Sequence, residues 1–192
     1  MSTQKIRPIL MSTPMIQALL GCRKTQTRRV IKNLPMMIVR LPYGLSNRID
    51  FSKCPYGARG DLLWVRESFF STHKTEEYTK QYGRIEYRAT ANPDYISCVF
   101  KPSIHMPKWA SRITLKITDI RVEQLQDISA QDVIAEGIEP IGNSSGSSIK
   151  GMYRNLWGTI HGADSWDANP WVWVIEFKVH RINIDEFLCT QK

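Results

Sequence analysis

The sequence predicts an α+β fold: a mostly antiparallel β-sheet or small barrel with short flanking helices. Three observations carry this. Strand-like segments outnumber helical ones, and the two do not alternate as a doubly wound sheet requires. No internal repeat is present. The chain also closes on a long, tryptophan-rich alternating segment that suits a barrel strand. The 192 residues suffice for one domain with a sizeable core. The expected organisation is a single domain over 1–192, with an insertion or lid at about 71–104.

The elements follow in order. "STPMIQALLG" reads as a short helix: Ser12 or Thr13 caps it, Pro14 suits its first turn and Gly21 its end. Met15, Ile16, Leu19 and Leu20 form its apolar stripe. Residues 33–60 are rich in Pro, Gly and Asn and read as loop, with a short strand at 36–40. "GARGDLLWVRE" is a turn feeding a strand at 62–68, with Leu63, Val65 and Glu67 on one face. Within 71–104, "RIEYRAT" has strand character. In "SRITLKITDIRVEQL", Ile113, Leu115 and Ile117 alternate with Thr114, Lys116 and Thr118, which marks a strand. "DISAQDVIAEGI" is a short helix with a capping box from Ser129 and Asp132. "GNSSGSS" at 142–148 reads as a flexible linker or loop tip. Ile149, Met152, Tyr153, Leu156 and Ile160 predict a helix over 149–161, ended by Gly162. "WVWVIEFKVHRI" is the closing strand, with Trp171, Trp173, Ile175, Phe177 and Val179 on one face.

Composition narrows the function. The net charge is +8 and the pI about 9.4, which favours a polyanionic partner, nucleic acid before membrane. No apolar run is long enough to span a bilayer, and the first residues lack the apolar core of a secretory signal. The four cysteines, Cys22, Cys54, Cys98 and Cys189, form no CxxC. The four histidines form no HExxH. The expectation is a cytoplasmic, reduced protein with no metal, no cofactor and no membrane partner.

The charge concentrates in "GCRKTQTRRV", residues 21–30, where Arg23, Lys24, Arg28 and Arg29 carry no intervening acid and Lys32 follows. One reading is a phosphate-binding run. The other uses its hydroxyls. If a turn brings Lys24 and Thr27 together, Lys24 can serve as a base towards Thr27 or a water. An ordinary lysine is less than ~0.1% neutral at pH 7. A pKa near 7 requires about 4 kcal/mol of differential stabilisation. The neighbouring arginines push that way, burial against the preceding helix adds to it, and a nearby carboxylate opposes it. A second cluster, "SIHMPKWASR", places His105, Lys108, Trp109 and Arg112 beside a strand start. A stacking aromatic among cations suits a base or single strand, and equally a loop whose tryptophan plugs the core. Glu67, on the apolar face of its strand, either pairs with a cation or lies at an exposed end. Cys22 beside so many cations is a lesser candidate nucleophile.

The order of these segments resembles the ASCH domain family: a helix, then G-x-K-x-x-(E/T)-x-R, a strand, a later helix containing "EG", and a final "VIEF" strand. The motif falls on residues 22–29, with Lys24, Thr27 and Arg29 matching and Cys22 in the glycine position. A register slipped by one, from Gly21, substitutes two positions. "GDLLWVRE", "SIHMPKWASRITL" and "WDANPWVWVIEF" are similar to stretches of phage and prophage members. The resemblance implies a PUA-like β-barrel that engages RNA, a nucleoside or modified nucleic acid. One activity in the family is hydrolysis of N4-acetylcytidine and related acylated cytidines. Carried over, it makes Lys24, Thr27 and Glu136 catalytic; the charge of the two clusters themselves makes Arg23, Arg28, Arg29, His105, Lys108, Trp109 and Arg112 the candidate binding residues. Other members bind without turnover or are linked to metal-independent RNA cleavage, so a reader and a nuclease stand as alternatives.

Overall fold

A computed structural model describes residues 4–191, apart from 34–35, 42–43, 73–74, 93–98 and 143–144. Parts of the expected 71–104 insertion, with His73 and Cys98, thus lie outside the described residues, as do two positions of the Gly/Ser-rich stretch.

The fold is α+β. In chain order the strands are β1 (Ile6–Leu10), β2 (Gln26–Val30), β3 (Met36–Leu41), β4 (Gly44–Ile49), β5 (Leu62–Arg66), β6 (Phe69–Ser71), β7 (Ile85–Tyr87), β8 (Thr114–Gln124) and β9 (Trp171–His180). The helices are α1 (Thr13–Leu20), α2 (Glu76–Tyr82), α3 (Ala130–Ala135), α4 (Gly146–His161) and α5 (Ile184–Cys189). Five strands hydrogen-bond in the order β1-β5-β8-β9-β2, and β3-β4 and β6-β7 form separate two-stranded sheets. The five-stranded sheet is mixed, because β1 runs parallel to β5 whereas β5 is antiparallel to β8 and β2 to β9. Among the described residues it does not close into a barrel.

The chain falls into two compact units. One comprises Met1–Cys22, Asp61–Lys116 and Lys178–Lys192; the other comprises Arg23–Gly60 and Ile117–Phe177. The 71–104 segment lies within the span of the first and contributes α2 and β7. That unit packs Leu62 against Ile184 and Phe187, and Phe69 against Met106 and Ala110. In the second unit, Leu125, Ile128 and Val133 pack with Ile149, Tyr153 and Trp157 of α4 and with Val172 and Val174 of β9. No described helix is long and apolar enough to cross a membrane.

Several expectations are refined. The capping box of α3 forms, with Ser129 Oγ accepting from Asp132 N and Asp132 accepting from Ser129 N. Of the basic run, Gln26–Val30 is extended as β2, so the turn that would bring Lys24 and Thr27 together does not form there. The end of the Gly/Ser-rich stretch is the first turn of α4 rather than a linker, because Ser145 Oγ caps it by accepting from Ser148 N. The buried stripe of α4 is Ile149, Tyr153 and Trp157, while Ile160 is exposed. In β9 both faces are covered from Val172 to Ile175, and Trp171 is exposed.

Candidate functional site

Lys24 and Glu136 meet inside the second unit. They form an isolated antiparallel bridge, and Thr25 N donates to Ala135 O. Glu136 is held there by the end of α3. It occupies the C-cap, its N–H donates to Asp132 O, and Gly137 follows at φ 97°, a left-handed conformation that glycine adopts without a Cβ penalty. The "EG" pair therefore stops the helix and leaves the Glu136 carbonyl free. Lys24 Nζ donates to that carbonyl at 2.9 Å and to Glu136 Oε2 at 2.7 Å. An ammonium suits the negative end of a helix.

Lys24 is 1% exposed and Glu136 7%. Burial pushes the Lys24 ammonium below its ordinary 10.5; Glu136 resists, and Arg29 and Arg28 reinforce the fall. Desolvation is thus the main cause, ahead of the like charges invoked from the sequence. Arg23 takes no part in the lowering: it lies at the surface, 3.2 Å from Glu139.

Arg28 is the hub beside this pair. Its side chain is fully buried. Nη1 donates to Glu136 Oε1 at 3.2 Å, Nε to Glu123 Oε1 at 3.1 Å, and Nη2 pairs with Glu123 and, at 3.4 Å, with Asp132. Arg121 joins from β8, reaching Glu123 at 3.0 Å, Asp132 at 2.8 Å, and Glu176. Burial would raise the Asp132 carboxyl, but Ser129 hydrogen bonds, Arg28 and Gln26 outweigh it and bring it to about 2. Lys24, Arg28 and Arg121 thus meet Glu123, Asp132, Glu136 and Glu176 in one charge network.

Thr27 is buried and stands opposite Ile175 in the β2–β9 ladder. It is not a hydrogen-bond partner of Lys24, whose Nζ goes to Glu136, the stronger acceptor for a buried cation. Alternation along β2 sends Thr27 and Arg29 to the face opposite Arg28. Arg29 still lies within electrostatic reach of Lys24 and Tyr153.

Tyr153 went unread as a site residue because it sits in the apolar stripe of α4. Its ring lies 6.0 Å from the Arg28 guanidinium. Burial raises its phenol well above the ordinary 10, Glu136 adds to this, and Arg28 and Arg29 oppose it. Its phenol thus lies within electrostatic reach of Glu136 and Arg28. Asp132, Glu123 and Arg121 were also unassigned by sequence, although the Ser129–Asp132 box signalled where Asp132 would sit.

The second expected cluster belongs to the first unit. Arg112 forms a bidentate pair with buried Glu67 at 2.9 and 3.0 Å, donates to Thr90 and lies 3.9 Å over the Tyr87 ring. Glu67 is thus paired rather than at an exposed end. Burial raises its carboxyl above the ordinary 4.5 against the pull of Arg112. Burial likewise pushes the Tyr87 phenol up to about 12, against the opposing charge of Arg112. Trp109 is half-buried against Phe69, Met106 and Ala110. Lys108 pairs with Asp185 at 2.5 Å, and His105 is exposed. Tyr87, Trp109, Arg112 and Arg181 line a cavity of about 280 Å³.

Comparison of the chain with protein-family models, with curated proteins and with solved structures returns no match.

Proposed function

We propose that this is an ASCH-type protein that hydrolyses an N4-acylcytidine-type amide. The observation that carries the reading is the buried Lys24–Glu136 contact of 2.7 Å, with the lysine's pKa lowered by burial. A lysine that loses its proton more readily is a stronger candidate base near neutral pH. In the proposed reaction neutral Lys24 takes the proton of a water as the water attacks the amide carbonyl. Lys24 hands that proton across their hydrogen bond to Glu136, which passes it to the departing N4 amine. Tyr153 is suited to donate to the oxygen that gains charge. The products are cytidine and the carboxylic acid.

The backbone at Cys22 supports the register of the motif. Its φ is 58°, in the left-handed region, whereas Gly21 has φ −81°. Residue 22 is therefore the position that favours glycine, which supports the register matching Lys24 and Thr27 to the motif. Cys22→Gly is expected to stabilise the protein by about 0.5–1 kcal/mol by removing the Cβ strain. The gain is net of the lost contact from Arg181 Nη2 to Cys22 Sγ at 3.0 Å, and denaturant melts measure it.

The test of function is turnover of N4-acetylcytidine and a panel of longer acyl analogues by the wild-type protein, followed as free cytidine by chromatography. No turnover of any member overturns the hydrolase reading. The charge of +8 favours a second reading, a non-catalytic nucleic-acid reader. It requires affinity that falls steeply with salt and no product at any substrate length.

A further inference from the structure

The second unit has a cavity of about 380 Å³ at the end of β2, lined by Val30, Lys32, Asn33, Lys53, Tyr56 and Trp173 among others. None of its lining residues is acidic. Lys32 and Lys53 are exposed at the surface, and Tyr56 is half-buried. The floor is rigid: Trp173 is 3% exposed and opposes Arg29 in the β2–β9 ladder. Phe51, 46% exposed, packs its ring edge-on against Trp173 with centroids 5.9 Å apart.

The turn that presents Lys53 and Phe51 is also fixed. It is a 3-10 turn over Phe51–Lys53, capped by Asp50, whose Oδ1 accepts from Ser52 N at 3.0 Å and Ser52 Oγ at 2.6 Å. Asp50, which also feels the Lys53 charge, is thereby engaged in holding the turn. The result is a concave site with two exposed ammonium groups, an amide and aromatic faces. That combination suits a phosphate joined to an unstacked base.

We propose that this cavity binds a nucleotide of a single-stranded nucleic acid, flanking the base that is presented to Lys24 and Glu136. The substrate is then a base within a strand, not a free nucleoside. β2 itself links the two places: Arg28 of the buried network and Val30, which lines the cavity, are two residues apart on this strand, about 7 Å. A nucleic-acid strand lying along β2 runs from the cavity towards the half-exposed edge of the network at Arg121 and Glu176. This also gives the basic excess a purpose that a free nucleoside would not require. The inference rests on the hydrolase reading for what happens at Lys24, while the binding it predicts stands apart from it.

The test compares wild type with the double variant Lys32→Ala, Lys53→Ala and with Tyr56→Ala, using a labelled unmodified pyrimidine RNA 12-mer. Thermal melts confirm folding, and Lys32→Arg, Lys53→Arg serves as the charge-preserving control. The double alanine variant is expected to bind about tenfold more weakly, with the slope of log K against log salt reduced by about 1.4, about 0.7 per lost phosphate contact. Tyr56→Ala is expected to weaken single-strand binding about five- to tenfold through lost stacking. The arginine control stays within about twofold. On an acetylated oligonucleotide the double alanine variant raises KM with kcat little changed. Unchanged affinity and slope in that variant overturn the site. Equal binding of duplex and single strand overturns its base-stacking role, and loss of binding only to anionic lipid vesicles reassigns the surface to membranes. If the RNA affinity falls as expected while wild type turns over no acylated cytidine, the cavity stands and the hydrolase reading fails.

Discussion

Arg28→Ala is expected to destabilise the protein by about 3–5 kcal/mol, the cost of leaving buried charge without its partner. The arginine side chain has no exposure and touches Glu123, Asp132 and Glu136. Arg121 remains to serve Glu123 and Asp132, and Lys24 remains on Glu136 Oε2, but Glu136 Oε1 loses its donor. The cavity left by the side chain adds to the cost, because Arg28 packs beside Tyr153. Arg28→Lys restores one charge without the planar fork that spans three carboxylates, and recovers less than half of the loss. Acid provides a second readout. The depressed Asp132 carboxyl gives wild type stability that is present above 3.8 and lost as pH falls towards about 2. With Arg28 removed the folded carboxyl lies closer to 3.8, so this pH-dependent contribution is smaller and is exhausted at a higher pH. Denaturant titrations at pH 7 and pH 3 measure both effects. A deficit below about 1 kcal/mol at pH 7 would show that the network contributes little to the fold.

How far the sequence discloses this arrangement depends on whether the signal is local. The capping box of α3 is local, since Ser129 and Asp132 find each other three residues apart, and so is the alternation of β8 and β9. Glu136 before Gly137 reads locally only as a helix end, and its place in the site comes from the family resemblance. β2 is different. Its charged residues read as a surface run because nothing nearby shows that Arg28 is buried. Its partners lie 95 and 108 residues away at Glu123 and Glu136. The pairing of β1 with β5 is parallel and spans more than fifty residues, so no turn announces it. Tyr153 obeys helical periodicity so well that it reads as plain core, and its polar end gains meaning only from Glu136 and Arg28. Composition marks no boundary between the two units either, because each is assembled from separate stretches of chain.

Lys24 carries the largest expected effect on activity. Lys24→Met is expected to lower kcat on N4-acetylcytidine by about 10²–10⁴-fold, the usual contribution of a positioned acid–base group. The methionine fills similar volume, and Glu136 retains Arg28 on Oε1, so the fold survives at a cost of about 1–3 kcal/mol for the unmet Oε2 and carbonyl acceptors. Lys24→Arg separates two roles. An arginine keeps the positive charge but does not deprotonate in the working range; a base is therefore lost in both variants, whereas a purely electrostatic lysine would be rescued by arginine. The pH dependence gives an independent check. Wild-type kcat is expected to rise with pH and level off below 10.5, since burial lowers the Lys24 pKa. Stability moves the same way. Between the lowered folded value and 10.5 the unfolded chain binds a proton that the folded chain does not, so folding gains free energy as pH rises through that window. Lys24→Met abolishes this gain. Readings above about pH 10 are set aside for the tyrosines, because the raised Tyr153 pKa makes folding lose free energy there as the unfolded phenol ionises. An active arginine variant, or a pH profile that Lys24→Met leaves unchanged, would remove Lys24 from the role of base and leave it as the cation that closes the end of α3.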